Sequence, residues 1–67
     1  MKVDFKHRPD RQYLYEQYFS PRNIDFYTVY NWCGETFGLT GTLWDYHGGW
    51  IKLKSDKELM MFTLRWA

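Results

Sequence analysis

A chain of 67 residues encloses little interior, and this one has a great many rings to place in it: five Phe, six Tyr and four Trp, or 22% of the sequence. Aromatic side chains bury large areas each, so they can build a core where chain length would otherwise forbid one. Tyr and Trp are also the residues with which surfaces grip partner proteins and nucleic-acid bases. The rings must therefore be divided between core and surface.

Other routes to stability are narrow. Ordering a chain of this length costs on the order of 100 kcal/mol, at about 1.5 kcal/mol per residue, and apolar burial must nearly match it. Cys33 is the only cysteine, so no disulfide forms within the chain. A lone thiol, behind an opening Met1-Lys2-Val3-Asp4 without an apolar leader, leads us to expect a cytoplasmic protein. His7 and His47 are isolated, with no second cysteine beside them, so neither a metal site nor a cofactor is expected. No apolar run approaches the ~18 residues of a membrane span. The net charge is +1, which is not the global excess of a nucleic-acid binder. The N-terminus is mildly basic, with Lys2, Lys6, Arg8 and Arg11 against Asp4 and Asp10. Residues 1–67 read as a single compact domain.

The pattern along the chain alternates between strand and helix. Lys2 to His7 shows period-2 alternation, with Val3 and Phe5 on one side, and reads as a strand ended by Pro9. Residues 11–19 fit two patterns. Leu14, Tyr15, Tyr18 and Phe19 sit at helical spacing after an Asp10 cap, whereas Tyr13, Tyr15 and Phe19 fit a strand; a short helix is favoured. Ser20-Pro21 and Asn23 are helix-start signals. Phe26, Val29, Tyr30, Cys33 and Phe37 then mark one face of a helix from about Asn23 to Phe37, closed by Gly38. Thr42 to Tyr46 and Trp50 to Lys54, joined by His47-Gly48-Gly49, read as a β-hairpin. Ser55-Asp56-Lys57-Glu58 matches a capping box ahead of Leu59, Met60, Met61, Phe62, Leu64 and Trp66. That box, and the weak strand preference of Leu and Met, favour a helix over a strand for residues 56–66. The expected architecture is α+β: an antiparallel sheet of about three strands against two or three helices, a reduced ferredoxin-like sandwich.

Trp32-Cys33, Phe37-Gly38, Trp44, Gly48-Gly49-Trp50 and the ending Phe62-Thr63-Leu64-Arg65-Trp66 together resemble small uncharacterised accessory proteins of tailed bacteriophages. The resemblance spans roughly Tyr27 to Trp66 and rests on a texture of aromatics and glycines. It implies a viral accessory protein at work in a bacterial cytoplasm. It implies no activity and brings no catalytic residue.

Little in the sequence carries chemistry. Cys33 and His47 are the one conceivable nucleophile–base pair, but Cys33 falls on the apolar helix face, where a small buried hydrophobe is the ordinary reading. Asp45 and His47 could form a carboxylate–imidazole pair, yet without a nucleophile they describe a surface turn. Gly48-Gly49 lacks the length and lysine of a phosphate loop. We therefore expect no enzyme. The leading expectation is a small interaction protein that binds a host or viral protein, with self-association into a homodimer a further option. Its contact surface would be Tyr27, Trp32, Trp44 and Trp50, the rings left over once the inward stripes are filled by Phe5, Phe26, Tyr30, Phe37, Phe62 and Trp66. The alternative is a module for single-stranded nucleic acid, with Trp50, Lys52 and Lys54 on one strand face and Lys2, Lys6, Arg8 and Arg11 extending it if the first strand lies alongside.

Overall fold

A computed structural model describes residues 2–20, 22 and 25–67. Its elements run β1 (Lys6–His7), β2 (Tyr15–Tyr18), α1 (Phe26–Phe37), β3 (Trp44–His47), β4 (Trp50–Leu53) and α2 (Asp56–Trp66). The four strands form one antiparallel sheet in the order β1-β2-β4-β3. The class is α+β as expected, with four strands rather than three and two helices. The order β-β-α-β-β-α is not the β-α-β-β-α-β succession of a ferredoxin-like domain.

The fourth strand is the segment expected to be helical. Residues 15–18 pair with β4 along its whole length, from Tyr15 opposite Leu53 to Tyr18 opposite Trp50. The Phe19 N–H adds a bond of 2.7 Å to the Gly49 carbonyl. Tyr is at home on a pleated surface, and β4 offers an otherwise unpaired edge, so tertiary pairing overrides the local helical stripe. The first strand is shorter than its pattern suggests. Ahead of Lys6 the ladder is replaced by one side chain. Gln17 accepts from the Asp4 N–H at 2.6 Å and donates to the Lys2 carbonyl at 2.9 Å.

The other elements follow their sequence signals. Helix α1 buries Phe26, Val29, Cys33 and Phe37 and ends at Gly38, whose φ is 91°. Its expected start signals Pro21 and Asn23 lie outside the described residues. Helix α2 starts at Ser55 in an extended conformation, where the capping box takes a variant form. The Ser55 hydroxyl donates to the Glu58 carboxylate at 2.6 Å, rather than accepting from a helix N–H. Asp56 and Glu58 in the first turn and Arg65 in the last suit the helix dipole. The β3–β4 turn contains two residues, not three: Gly48 and Gly49 both have positive φ, 56° and 91°.

Register sorts the side chains onto two faces. Tyr15, Leu53 and Trp44 lie across from one another on one side, as do Gln17, Ile51 and Tyr46. This side carries both helices. Phe62 of α2 meets Phe5 at 4.9 Å and Phe19 at 6.1 Å between ring centroids, while Tyr30 of α1 meets Trp44 at 5.3 Å and Tyr46 at 5.5 Å. Trp32 bridges the helices, 5.8 Å from Phe62 and 6.0 Å from Trp66. The opposite side of the sheet bears Glu16, Lys52 and Asp45 in one row and Tyr18, Trp50 and His47 in the next.

Gly49 fixes how the turn meets β2. A Cβ there would lie 2.5 Å from Cε1 of the Tyr18 ring, and its φ disfavours any side chain. Gly48 has open space around it and a φ that Asn tolerates. Gly49→Ala is therefore expected to cost about 1–2 kcal/mol in urea unfolding and to displace Tyr18, with Gly48→Asn close to neutral. Equal costs for the two would overturn this account of the turn.

Candidate binding surfaces

The structure disperses the four rings expected to form one contact surface. Trp44 is only 1% exposed, and its indole Nε1–H donates to the Gly38 carbonyl at 2.8 Å, so it belongs to the core and anchors the end of α1. Its place at the start of β3, facing the helices, is what buries it. Trp32 is half-buried between the two helices, with Phe37, Phe62 and Trp66 around it. Tyr27 is 66% exposed on α1, and Trp50 lies on the helix-free side of the sheet. Tyr27 and Trp50 thus belong to separate surfaces.

The first surface is a groove between α1 and the edge strand β3. One part, of about 370 Å³, is lined by Phe26, Tyr27, Tyr30, Asn31 and Tyr46. The next, of about 330 Å³, is lined by Tyr30, Gly34, Gly38, Leu39, Thr40 and Trp44. Tyr30 is common to both, and no lining residue is charged. The β3 edge beside it is partly closed. The Tyr46 N–H donates to Asp45 Oδ1 at 2.8 Å, and the Trp44 carbonyl accepts from the Gly41 N–H at 2.8 Å. Capped edges resist the addition of another strand.

The second surface is the helix-free side of the sheet. At its centre Trp50 packs edge-on against Tyr18, with centroids 5.6 Å apart. Glu16 is 5% exposed and holds two arginines: Arg8 Nε lies 3.5 Å from Oε2 and Arg11 Nη1 3.0 Å from Oε1. Lys52 lies between Glu16 and Asp45 in the cross-strand register. Tyr13 is buried at one end, and desolvation together with the Asp45 carboxylate raises its hydroxyl pKa. Of the nucleic-acid set, Lys6, Arg8, Trp50 and Lys52 come together here, while Lys54 lies past the end of β4. Arg11, expected with the other N-terminal basic residues, joins them here beside Glu16, whereas Tyr18 was missed, because reading residues 11–19 as a helix concealed the alternation that puts Tyr18 beside Glu16's row.

The reactive groups are held apart. Cys33 is fully buried on α1, and burial pushes its thiol up to about 12. His47 lies on the opposite side of the sheet, so no base reaches the sulfur. The Tyr15 hydroxyl donates to Asp56 and thereby ties β2 to the start of α2, and that bond raises its pKa. Among the described residues no cluster of three or more His, Cys, Asp or Glu could hold a metal ion. No described helix is long and apolar enough to cross a membrane.

Comparison with known proteins adds no relative. No family model, curated protein or solved structure matches the chain.

Proposed function

We propose that this chain is a non-enzymatic interaction protein that takes an apolar segment of a host or viral protein into the groove between α1 and β3, as an accessory factor of a tailed phage in the bacterial cytoplasm. The observation that carries this reading is the groove's uncharged, aromatic lining, with Tyr27 66% and Leu39 83% exposed along it. Apolar surface of this size left open to water is a cost that docking removes. Because the β3 edge is partly closed, side chains rather than an added strand hold the partner in this reading. Tyrosine supplies a broad contact with few torsions to freeze, which suits Tyr27 to the role of an anchor.

A partner isolated on the wild-type protein is expected to stay bound as salt rises, because an apolar contact is little screened. Tyr27→Ser with Leu39→Ser should weaken the purified complex about tenfold or more, and Trp50→Ala should leave it unchanged. A partner that binds the double variant as tightly as wild type would overturn the proposal. So would a solution mass showing that the groove's occupant is a second copy.

A further inference from the structure

The helix-free side of the sheet carries a second, chemically different site. Its charge differs from that of the rest of the molecule. Lys2, Lys6, Arg8, Arg11 and Lys52 face Asp4, Glu16 and Asp45 across it, five cations against three carboxylates. This surface is thus +2, whereas the whole chain is +1 and the remainder −1. The excess is not fully consumed internally. Glu16 neutralises one of its two arginines, Asp4 pairs with Lys6 at 3.6 Å with both side chains more than half exposed, and Lys52 makes no ion pair among the described residues. A surface pair of that kind exchanges readily for a stronger anion.

The clefts here share one wall. Lys2, Lys6, Tyr18 and Trp50 line a hollow of about 270 Å³ on one side, with Asp4 and Gln17. Arg11, Glu16, Lys52 and Trp50 line one of about 280 Å³ on the other. Trp50 is therefore a ring standing between two cationic hollows, propped edge-on by Tyr18. A ligand matched to this arrangement alternates flat rings with anionic groups over a few ångströms. We propose that this side of the sheet binds single-stranded nucleic acid, a base stacking on Trp50 while the phosphates on either side lie toward Lys2 and Lys6 and toward Lys52 and Arg11. A duplex hides its base faces and gives Trp50 nothing to stack on, so the site selects unpaired strands. Arg8 acts as a positioning residue: its guanidinium, 3.5 Å from the Glu16 carboxylate that Arg11 hydrogen-bonds, offsets that buried charge, so Glu16 does not repel the incoming phosphate.

The test is fluorescence anisotropy with a labelled oligothymidylate at low salt, using the intact protein. Binding is expected, with log K falling against log salt at a slope of about −2 to −3, from about −0.7 for each of three to four phosphates. Trp50→Ala should weaken binding roughly 5- to 100-fold. Trp50 is half-buried, so Lys52→Gln provides a milder check, expected to reduce the slope by about 0.7 while leaving the thermal midpoint in place. Tyr27→Ser, on the other side of the molecule, should change nothing, which separates this site from the groove. No binding at low salt would overturn the proposal. Binding of a duplex or of heparin as tightly as the single strand would also overturn it, since either outcome would reduce the site to a plain basic patch.

Discussion

Phe62→Ala is expected to leave the chain largely unfolded at room temperature. Phe62 is fully buried, and its ring touches Phe5 and Phe19 from the sheet side, Trp32 from α1 and Trp66 from its own helix. Removing it deletes the one ring that joins both helices to the N-terminal segment. Core Phe→Ala substitutions cost about 3–5 kcal/mol through lost burial and the cavity left behind. A single core in a chain of this size rarely supplies more than about 3–5 kcal/mol in total. The substitution therefore removes about as much as the fold has. The neighbours cannot close the gap, because Phe5 and Trp32 are each pinned by a second ring, Phe19 and Phe37 respectively. Circular dichroism and a urea titration check this: the variant should show little cooperative transition where wild type shows one. Phe62→Leu, which keeps most of the volume, should lose far less. A cooperative Phe62→Ala variant within 1 kcal/mol of wild type would mean that the two helices are held by something other than this cluster.

The same cluster shows what the sequence reveals and what it conceals. Phe26, Val29, Cys33 and Phe37 could be placed inside from their spacing alone, since helical periodicity fixes which residues share a face. The second helix was legible from Ser55 and Glu58 for a similar reason: a cap is a local device whose partners lie three residues apart. Residues 15–18 were not legible, because two periods fit the same tyrosines and the choice rests on β4, some 35 residues away in the chain. That error propagated to the site. With residues 11–19 taken as a helix, Tyr18 had no reason to meet Trp50. Trp44 failed differently. Strand alternation gives two faces but not which one the helices cover, and a tryptophan suits either. The exposure of Tyr27 was legible because a ring off the buried stripe of a helix has only solvent or a neighbouring edge to face.

Alkaline pH should unfold the protein through Cys33, and replacing that residue should remove much of the effect. The thiol ordinarily titrates near 9 and is pushed up to about 12 by burial among Val29, Phe37 and the sheet. A native pKa above the unfolded one means that the native state keeps a proton the unfolded chain has lost. The stabilisation is complete below about pH 9 and is lost as pH rises from there towards 12. Across that window the slope is about −1.4 kcal/mol per pH unit, from one proton difference. Two units would therefore remove nearly 3 kcal/mol, most of what a domain of this size holds. Tyr13 and Tyr15 act in the same direction from about pH 10 upward, Tyr13 through desolvation and the Asp45 carboxylate, Tyr15 through its bond to Asp56. Cys33→Ala has no proton to lose and so isolates the thiol. Its stability at neutral pH falls modestly through the lost sulfur contacts, but its urea midpoint should decline much less steeply between pH 9 and 10, before the tyrosines take over. Parallel decline of the two proteins through that interval would show that Cys33 reaches solvent as readily in the native chain as in the unfolded one.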